Sequence, residues 1–187
     1  ASRKENDWKH VLLRTIRNDY NRIYNFTKKA IATWETTYLT NYDYSQLDDV
    51  LDENYSMVII RVGENNTDTD WQRVQSRVEA LLSYITNALG SSVPIILSAC
   101  IKYRTEQNPS YIAAAENFDN VTYVDLTDAA NIEPFNAGLD YMVFGDDGVW
   151  HTISESSAAS AVANHPRDEV FAKMTELLYP VVVEKLG

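Results

Sequence analysis

The sequence predicts an α/β protein whose parallel β-sheet is doubly wound, with helices on both faces. Short apolar runs alternate along the chain with longer segments of helical periodicity. Parallel strands need long crossover connections, and helices usually supply them. The 187 residues are 45% hydrophobic, which is enough for one well-packed core, and no repeat, linker or low-complexity tract divides them. We therefore predict one domain over residues 1–187.

Four segments have the composition of strands. Residues 57–62 form the clearest of them, because five apolar side chains surround a single Arg and the run stops abruptly at Gly63. Such a strand can be buried on both faces. Residues 93–98 form a second apolar run rich in β-branched side chains, and residues 121–125 alternate as a strand should. Residues 22–26 are predicted to be a short strand that precedes all three.

Helical periodicity is strongest between these strands. Residues 71–89 carry one continuous apolar stripe, and Gly90 stands where a helix commonly ends. Residues 7–20 form an amphipathic pattern after Asp7, a suitable N-cap. Shorter helices are predicted over residues 44–51 and 109–117.

The C-terminal third is less regular. After Pro134 the hydrophobic pattern disappears, and we predict a long polar loop. The last helix is predicted to begin near Pro166, since proline is favoured in the first turn of a helix. Pro180 is predicted to bend this helix or to end it early.

Charge restricts the classes of partner. Sixteen Lys and Arg against 27 Asp and Glu give a net charge of −11, which repels nucleic-acid phosphates and anionic lipids. No apolar run approaches the ~18 residues of a membrane span, so we predict neither a nucleic-acid partner nor membrane insertion. Cys100 is the only cysteine, and we expect a buried, inert thiol. The compartment stays open, with export and the periplasm included, and so does the oligomeric state.

Candidate functional residues follow the predicted strands, because ligands of such sheets bind outside the carboxyl ends of the strands. Gly63 and Asn65 follow the clearest strand, whereas Lys28 and Ala30 follow the first one. His165 lies at the mouth of the last helix. Taken singly, Gly-x-Asn is typical of an ordinary turn, and a lone His is commonly a solvated loop residue. Together, an amide donor and a His supply two of the three groups of an acyl-transfer site.

Several short motifs together resemble one protein family. Residues 63–66, Gly-Glu-Asn-Asn after a buried strand, resemble the Gly-x-Asn-Asp block of the SGNH hydrolases, the GDSL-type esterases and lipases. Residues 165–168, His-Pro-Arg-Asp, resemble their His-Pro block. Residues 24–27 followed by Ala30 are similar to the second block, and residues 121–125 to the strand before the final loop. The resemblance covers essentially the whole chain in order and spacing.

The resemblance implies a three-layer, flavodoxin-like sheet and a serine-dependent hydrolase of small esters, with acylated carbohydrates among the plausible substrates. It makes Asn65 an oxyanion donor and His165 the general base that activates a serine. Gly63, Lys28 and Ala30 would line the oxyanion site, where a backbone N–H can replace the family's usual glycine. The resemblance implies no cofactor and no metal.

Two departures affect the oxyanion site and the catalytic acid. The second block of the family usually has a Gly, and Lys28, Lys29 and Ala30 occupy that region here. The family usually has an Asp three residues before the His, and Val162 stands there in this chain. Glu155, Asp146 and Asp147 are alternative acid partners for His165, and a Ser-His dyad is a further alternative.

The larger departure is the absence of the nucleophile block that normally ends the first strand. In the implied strand order, that strand lies between residues 22–26 and 57–62, and its loss would leave strand edges unpaired. We therefore expect the native polypeptide to begin upstream, so that this chain is N-terminally incomplete and the serine precedes Ala1. A non-catalytic binding or interaction module with the same fold is the alternative function.

Residues of the predicted polar loop suggest two lesser alternatives. Asp146, Asp147 and His151 are potential metal ligands, although adjacent carboxylates on a Gly-flanked turn are more commonly solvated. His151 is also an alternative general base. Trp150 beside it would line an acyl or sugar pocket or pack beneath the loop.

Overall fold

The computed structural model describes residues 3–20, 24–39, 41–51, 54–139, 141–144, 147–153 and 163–187. The helices and strands combine in a mixed α/β protein. Its α-helices are α1 (Trp8–Tyr20), α2 (Ala32–Thr36), α3 (Asp48–Leu51), α4 (Trp71–Leu89), α5 (Asn108–Ala115) and α6 (Asp168–Leu186). Its strands are β1 (Val58–Arg61), β2 (Ile95–Ser98), β3 (Val121–Tyr123), β4 (Met142–Phe144) and β5 (Trp150–Thr152).

The chain divides into two compact units. The sheet unit consists of Asn25–Leu126 and Val181–Gly187, and the hairpin unit consists of Ala1–Tyr24 and Thr127–Pro180. The sheet unit contains β1, β2 and β3, whereas the hairpin unit contains α1, β4 and β5. Among the described residues, no helix is both long enough and apolar enough to cross a membrane.

A three-stranded parallel sheet is the centre of the sheet unit. Its strand order is β1-β2-β3, and Ile95 of β2 lies opposite both Val58 and Val121. All four residues of β2 are buried, as expected for the middle strand of a covered parallel sheet. The three strands agree with those predicted from the apolar runs. The α/β class is therefore confirmed.

Helix α4 covers this sheet with the stripe that its sequence predicts. The Asp70 side chain caps its first turn by accepting a hydrogen bond from the backbone N–H of Arg73, at 3.1 Å. Its buried apolar residues are Val74, Val78, Leu81, Leu82 and Ile85. Gly90 ends the helix and donates its N–H to Thr86, at 2.8 Å. The predicted bounds of this helix are correct.

The chain before β1 differs from its prediction. Residues 22–26 were expected to form a strand, but Tyr24, Asn25 and Phe26 are irregular, and residues 22 and 23 lie outside the described residues. Ile23 is the only aliphatic or β-branched side chain of these five, and the polar Arg22 and Asn25 interrupt the apolar pattern, so the segment specifies a strand only weakly. In the described part of the chain, β1 therefore pairs with β2 alone and forms an edge of the sheet.

The segment after Pro134 is more regular than predicted. Instead of a continuous polar loop, it contains the antiparallel pair β4-β5, in which Val143 lies opposite His151. A positive φ of 79° at Gly148 helps to turn the chain. Met142, Phe144 and Trp150 supply a strand pattern, but the surrounding Gly and Asp residues obscure it in the sequence.

Helix α6 begins near Pro166, as predicted, but it does not end early at Pro180. It starts at Asp168 and continues through Pro180 to Leu186. A proline removes one helical hydrogen bond, and tertiary packing can offset that loss. Leu178 and Val182 are both buried and flank Pro180 along one face, which accounts for the continuation of the helix.

Candidate functional site

The turn that follows β1 contains a glycine in a conformation that other residues rarely adopt. Gly63 has φ = +118°, and its carbonyl accepts a hydrogen bond from Asn66 N at 2.9 Å. A Cβ at this position would lie 2.9 Å from Cys100 Sγ and 3.0 Å from the Tyr111 hydroxyl. Both the dihedral angle and the lack of space therefore require glycine.

A buried carboxylate anchors this turn. Glu35 of α2 is 6% exposed, and its Oε1 accepts the backbone N–H of Gly63. Its Oε2 accepts two hydrogen bonds from Asn65, one from the backbone N–H at 3.2 Å and one from side-chain Nδ2 at 2.7 Å. Hydrogen bonds to a charged acceptor are stronger than neutral ones, which explains why this carboxylate can be buried.

The next residues of the turn form a second buried network. Asn66 is fully buried; its Oδ1 accepts from Asp68 N at 3.1 Å, and its carbonyl accepts from Gln107 Nε2 at 2.6 Å. Asp68 receives two hydrogen bonds from the Arg73 guanidinium, at 2.5 and 2.6 Å. Asn65 is exposed between these anchored neighbours. The turn thus holds one amide side chain at the carboxyl end of a parallel strand.

Burial dominates the electrostatics around the turn. It raises the pKa of Glu64, although the N–H of Ile101 and the Arg61 guanidinium favour the charged carboxylate. For Asp68 the balance is reversed: burial is the largest single effect and opposes ionisation, but the Arg73 hydrogen bonds, the N–H of Asp70 and the nearby guanidinium charges together outweigh it and lower the pKa. Burial, together with the negative charges of Glu64 and Glu35, raises the pKa of Cys100 to about 12. An unreactive thiol follows, in agreement with its prediction.

The other residues predicted to line an oxyanion site lie on the irregular segment before α2. Lys28 and Ala30 are exposed, and Lys28 makes no hydrogen bond or ion pair with a described residue. The neighbouring Lys29 instead pairs with Asp49, at 2.7 Å. Gly63, the third of these residues, donates its backbone N–H to Glu35.

His165 belongs to the hairpin unit and is held through its main chain. Its carbonyl accepts a hydrogen bond from Ala137 N at 2.8 Å, and Pro166 forms a β-bridge with Asn136. Arg167 N donates to the carbonyl of Phe135 at 3.0 Å. The imidazole itself is exposed and makes no hydrogen bond with any described residue. The main chain is therefore fixed while the ring nitrogens stay accessible.

Two of the predicted acid partners of His165, Glu155 and Asp146, lie outside the described residues. The third, Asp147, is hydrogen-bonded to His151 Nε2 through both carboxylate oxygens, at 2.8 and 3.0 Å. The contact holds the pKa of Asp147 below its usual value. Within the described ranges, no group of three His, Cys, Asp or Glu side chains is arranged to hold a metal ion.

Trp150 lies at the surface of the β4-β5 hairpin. It is 41% exposed, and its ring meets that of Phe144 edge to face, with centroids 5.4 Å apart. The Arg3 guanidinium lies 4.7 Å from each ring centroid. These contacts are typical cation–π contacts. Trp150 is therefore covered on one side by a cation of its own chain rather than packed beneath a loop.

Sequence reasoning identified Asn65 and its turn but missed Glu35. That carboxylate acts across 28 to 30 residues of chain, and no local pattern distinguishes it from other acidic residues. A Glu directly after an apolar Trp in a short helical segment is a weak signal at best. Asn65 belongs to the sheet unit and His165 to the hairpin unit.

Comparison with known proteins finds no family model, no curated protein and no solved structure that matches this chain. The class that the structure defines is thus an α/β protein with a parallel sheet. At the carboxyl end of β1, an exposed amide offers a neutral hydrogen-bond donor to a ligand oxygen. In the hairpin unit, His165 presents an exposed imidazole to which no described residue is hydrogen-bonded.

Proposed function

We propose that the protein is a serine-dependent ester hydrolase of the SGNH type, with a flavodoxin-like sheet, acting on small or carbohydrate-linked acyl esters. One observation carries the proposal: Asn65 presents its side-chain amide at the carboxyl end of β1, on a turn that buried hydrogen bonds hold in place. Ligands of doubly wound sheets bind at that edge. A preorganised amide is also the kind of donor that stabilises a developing oxyanion.

The proposed reaction is acyl transfer through a serine. His165 takes the hydroxyl proton as the serine oxygen attacks the ester carbonyl, and Asn65 Nδ2–H donates to the resulting oxyanion. His165 then protonates the departing alkoxide, and an acyl-enzyme remains. Water attacks that acyl-enzyme with His165 again as the base, which releases the acid and restores the serine. Each step conserves protons between the serine, the imidazole and the leaving group.

In this proposal the serine lies at the end of a further strand that pairs with β1. The outer edge of β1 supports this placement. Val58 and Val62 direct their N–H groups toward the β2 side, to the carbonyls of Pro94 and Ser98. Because N–H groups alternate in a parallel strand, those of Ile59 and Arg61 point to the other edge. No strand of the described residues pairs there.

A non-catalytic binding module is the second candidate. Val162 stands where the family's acid would be. In addition, the Asn65 amide already donates one hydrogen bond to Glu35. A module of this kind would use the same exposed amide to bind a ligand without transforming it.

A fluorophosphonate probe distinguishes these two functions, because it labels only activated serines. The test uses the native polypeptide as its gene encodes it. We expect one labelled serine, no labelling in His165→Ala, and unchanged labelling in His151→Ala, a matched substitution of another exposed imidazole.

The outcomes separate clearly. Absence of labelling in the folded wild-type protein would refute the hydrolase and favour the binding module. Labelling that is lost in His151→Ala but retained in His165→Ala would assign the base to His151 instead. For the oxyanion role, Asn65→Ala should reduce kcat for p-nitrophenyl acetate by about 100- to 1,000-fold.

A further inference from the structure

We propose that Glu35 is a positioning residue that orients the Asn65 amide, an inference that rests on the hydrolase function proposed above. The carboxylate divides its two oxygens between two places on the turn. Oε1 holds the Gly63 N–H, while Oε2 holds both the backbone N–H and the side-chain Nδ2 of Asn65. One side chain therefore fixes the main chain of the turn and the amide that projects from it.

The carboxylate also determines which way the amide faces. An ionised carboxylate accepts hydrogen bonds and cannot donate them, so only the nitrogen of the Asn65 amide can face it. With Nδ2 held 2.7 Å from Glu35, the Oδ1 atom must point elsewhere. The amide nitrogen carries two hydrogens, and Glu35 uses one of them. The second hydrogen remains available to a ligand oxygen. Its direction is fixed because the hydrogen bond to Glu35 prevents the amide from rotating.

The local structure around Glu35 suits this role. Helix α2 has only five residues, too few to be stable by itself in water. Trp34 fastens it, because its side chain is fully buried and its carbonyl accepts a hydrogen bond from Arg77. The helix thus delivers Glu35 to the turn from an anchored position, as preorganised sites require of their supporting residues.

Burial separates the charge of Glu35 from a ligand. Glu35 is 6% exposed, whereas Asn65 is exposed, so the amide lies between the carboxylate and anything bound from solvent. The negative charge acts instead on buried neighbours: after burial itself, it is among the causes that raise the pKa of Glu64 and Cys100. The three N–H groups that Glu35 accepts offset its charge locally.

The test replaces Glu35 with glutamine in the complete native polypeptide. Gln is nearly isosteric but presents an NH₂ group to one side of the turn, where only donors lie, so it cannot hold the Gly63 and Asn65 groups together. Glu79→Gln is the matched control, because Glu79 also accepts two side-chain amide donors, Gln75 Nε2 and Asn117 Nδ2, both at 2.8 Å.

Two readouts are needed. The first is the ¹⁵N–¹H spectrum of the Asn65 side-chain amide, assigned by its loss in Asn65→Ala. We expect its two resonances to shift and exchange faster in Glu35→Gln and to stay unchanged in Glu79→Gln. The second is ester hydrolysis. We expect kcat to fall about 10-fold in Glu35→Gln with KM nearly constant, less than the loss from removing the donor itself. In the Asn65→Ala background, Glu35→Gln should have no further effect on kcat.

Two results would overturn the inference. One is that the Asn65 amide resonances are unchanged in Glu35→Gln. The other is that Glu35→Gln lowers kcat equally in the wild-type protein and in the Asn65→Ala background. A wild-type protein that hydrolyses no ester would refute the proposed hydrolase. The amide spectrum would then still decide whether Glu35 orients Asn65, so the two failures are distinguishable.

Discussion

The turn after β1 and the segment around His165 are held by opposite means. In the turn, side chains carry the structure: Glu35, Gln107 and Asn66 bind the main chain, and the Asn65 amide is itself tied to a buried carboxylate. Around His165, main-chain hydrogen bonds to residues 135–137 carry the structure, and the imidazole stays exposed. One region therefore fixes its candidate side chain, whereas in the other no described residue is hydrogen-bonded to the candidate side chain.

This difference agrees with what the two groups would do in acyl transfer. An oxyanion donor keeps its charge throughout the reaction, so a fixed partner costs nothing and prevents reorganisation. A general base changes its protonation state in every cycle, and a permanent partner would favour one of those states. The contrast also predicts where substitutions do harm. Changes in the buried turn should have large effects, whereas changes in the hairpin unit should have local ones.

The largest effect is expected on the reactivity of Cys100. Burial and two nearby carboxylates raise its pKa to about 12. Because the thiolate is the reactive form, the reactive fraction at pH 8 is about 1,000-fold lower than for an ordinary thiol. Iodoacetamide should therefore label the folded protein at least about 100-fold more slowly than the urea-unfolded protein. Mass spectrometry gives both rates, and similar rates in the two states would show that the turn is open to solvent.

A smaller but substantial effect is expected from Gly63→Ala. The positive φ costs about 1 to 2 kcal/mol for a residue with a Cβ. Contacts of 2.9 and 3.0 Å with Cys100 and Tyr111 add overpacking, which is typically about 1 to 3 kcal/mol. We expect the free energy of unfolding in urea to fall by about 3 kcal/mol from these two effects.

Gly90→Ala is the control for that substitution. Gly90 also has a positive φ, of 87°, but its nearest neighbour is Ser92 Oγ at 4.0 Å. Only the conformational cost should remain, about 1 kcal/mol. Equal losses in the two variants would mean that the space around Gly63 is not restricted.

The sheet could be predicted from the sequence because its signals are local. The apolar runs that became β1, β2 and β3, and the stripe of α4, each lie within one continuous segment. The β4-β5 hairpin was missed because both of its strands are three residues long, are mostly exposed and lie among turn-forming residues. Strands of three residues show little periodicity, so the amino-acid composition of the segment favoured a loop.

The candidate site was predictable in part for the same reason. Gly63 and Asn65 follow the point at which the apolar run of residues 57–62 stops. That abrupt stop is enough to mark the end of a strand. Glu35 could not be found that way, because its role depends on a contact formed only when α2 packs beside β1's carboxyl end. The pairing of Asp147 with His151 likewise arises only once β5 returns along β4.

The smallest effect is expected from the exposed Asp147–His151 pair. Its hydrogen bond lowers the pKa of Asp147. A carboxylate with a lowered pKa in the folded state contributes stability above its unfolded pKa, and that contribution is lost as the pH falls through the folded value. Both side chains are more than half exposed, so solvent screens the pair and His151→Ala should leave the free energy of unfolding at pH 7 unchanged.

The titration of Asp147, followed by its carboxyl ¹³C shift, is the sensitive measurement for this pair. In His151→Ala we expect its pKa to rise toward the ordinary aspartate value, because the hydrogen-bond donor is gone. In His165→Ala we expect no change, since no hydrogen bond joins His165 to Asp147 in the described part of the hairpin unit. A shift in His165→Ala with none in His151→Ala would instead make Asp147 the acid that orients His165. The comparison of the two regions would then fail, because the imidazole would have a fixed partner as Asn65 does.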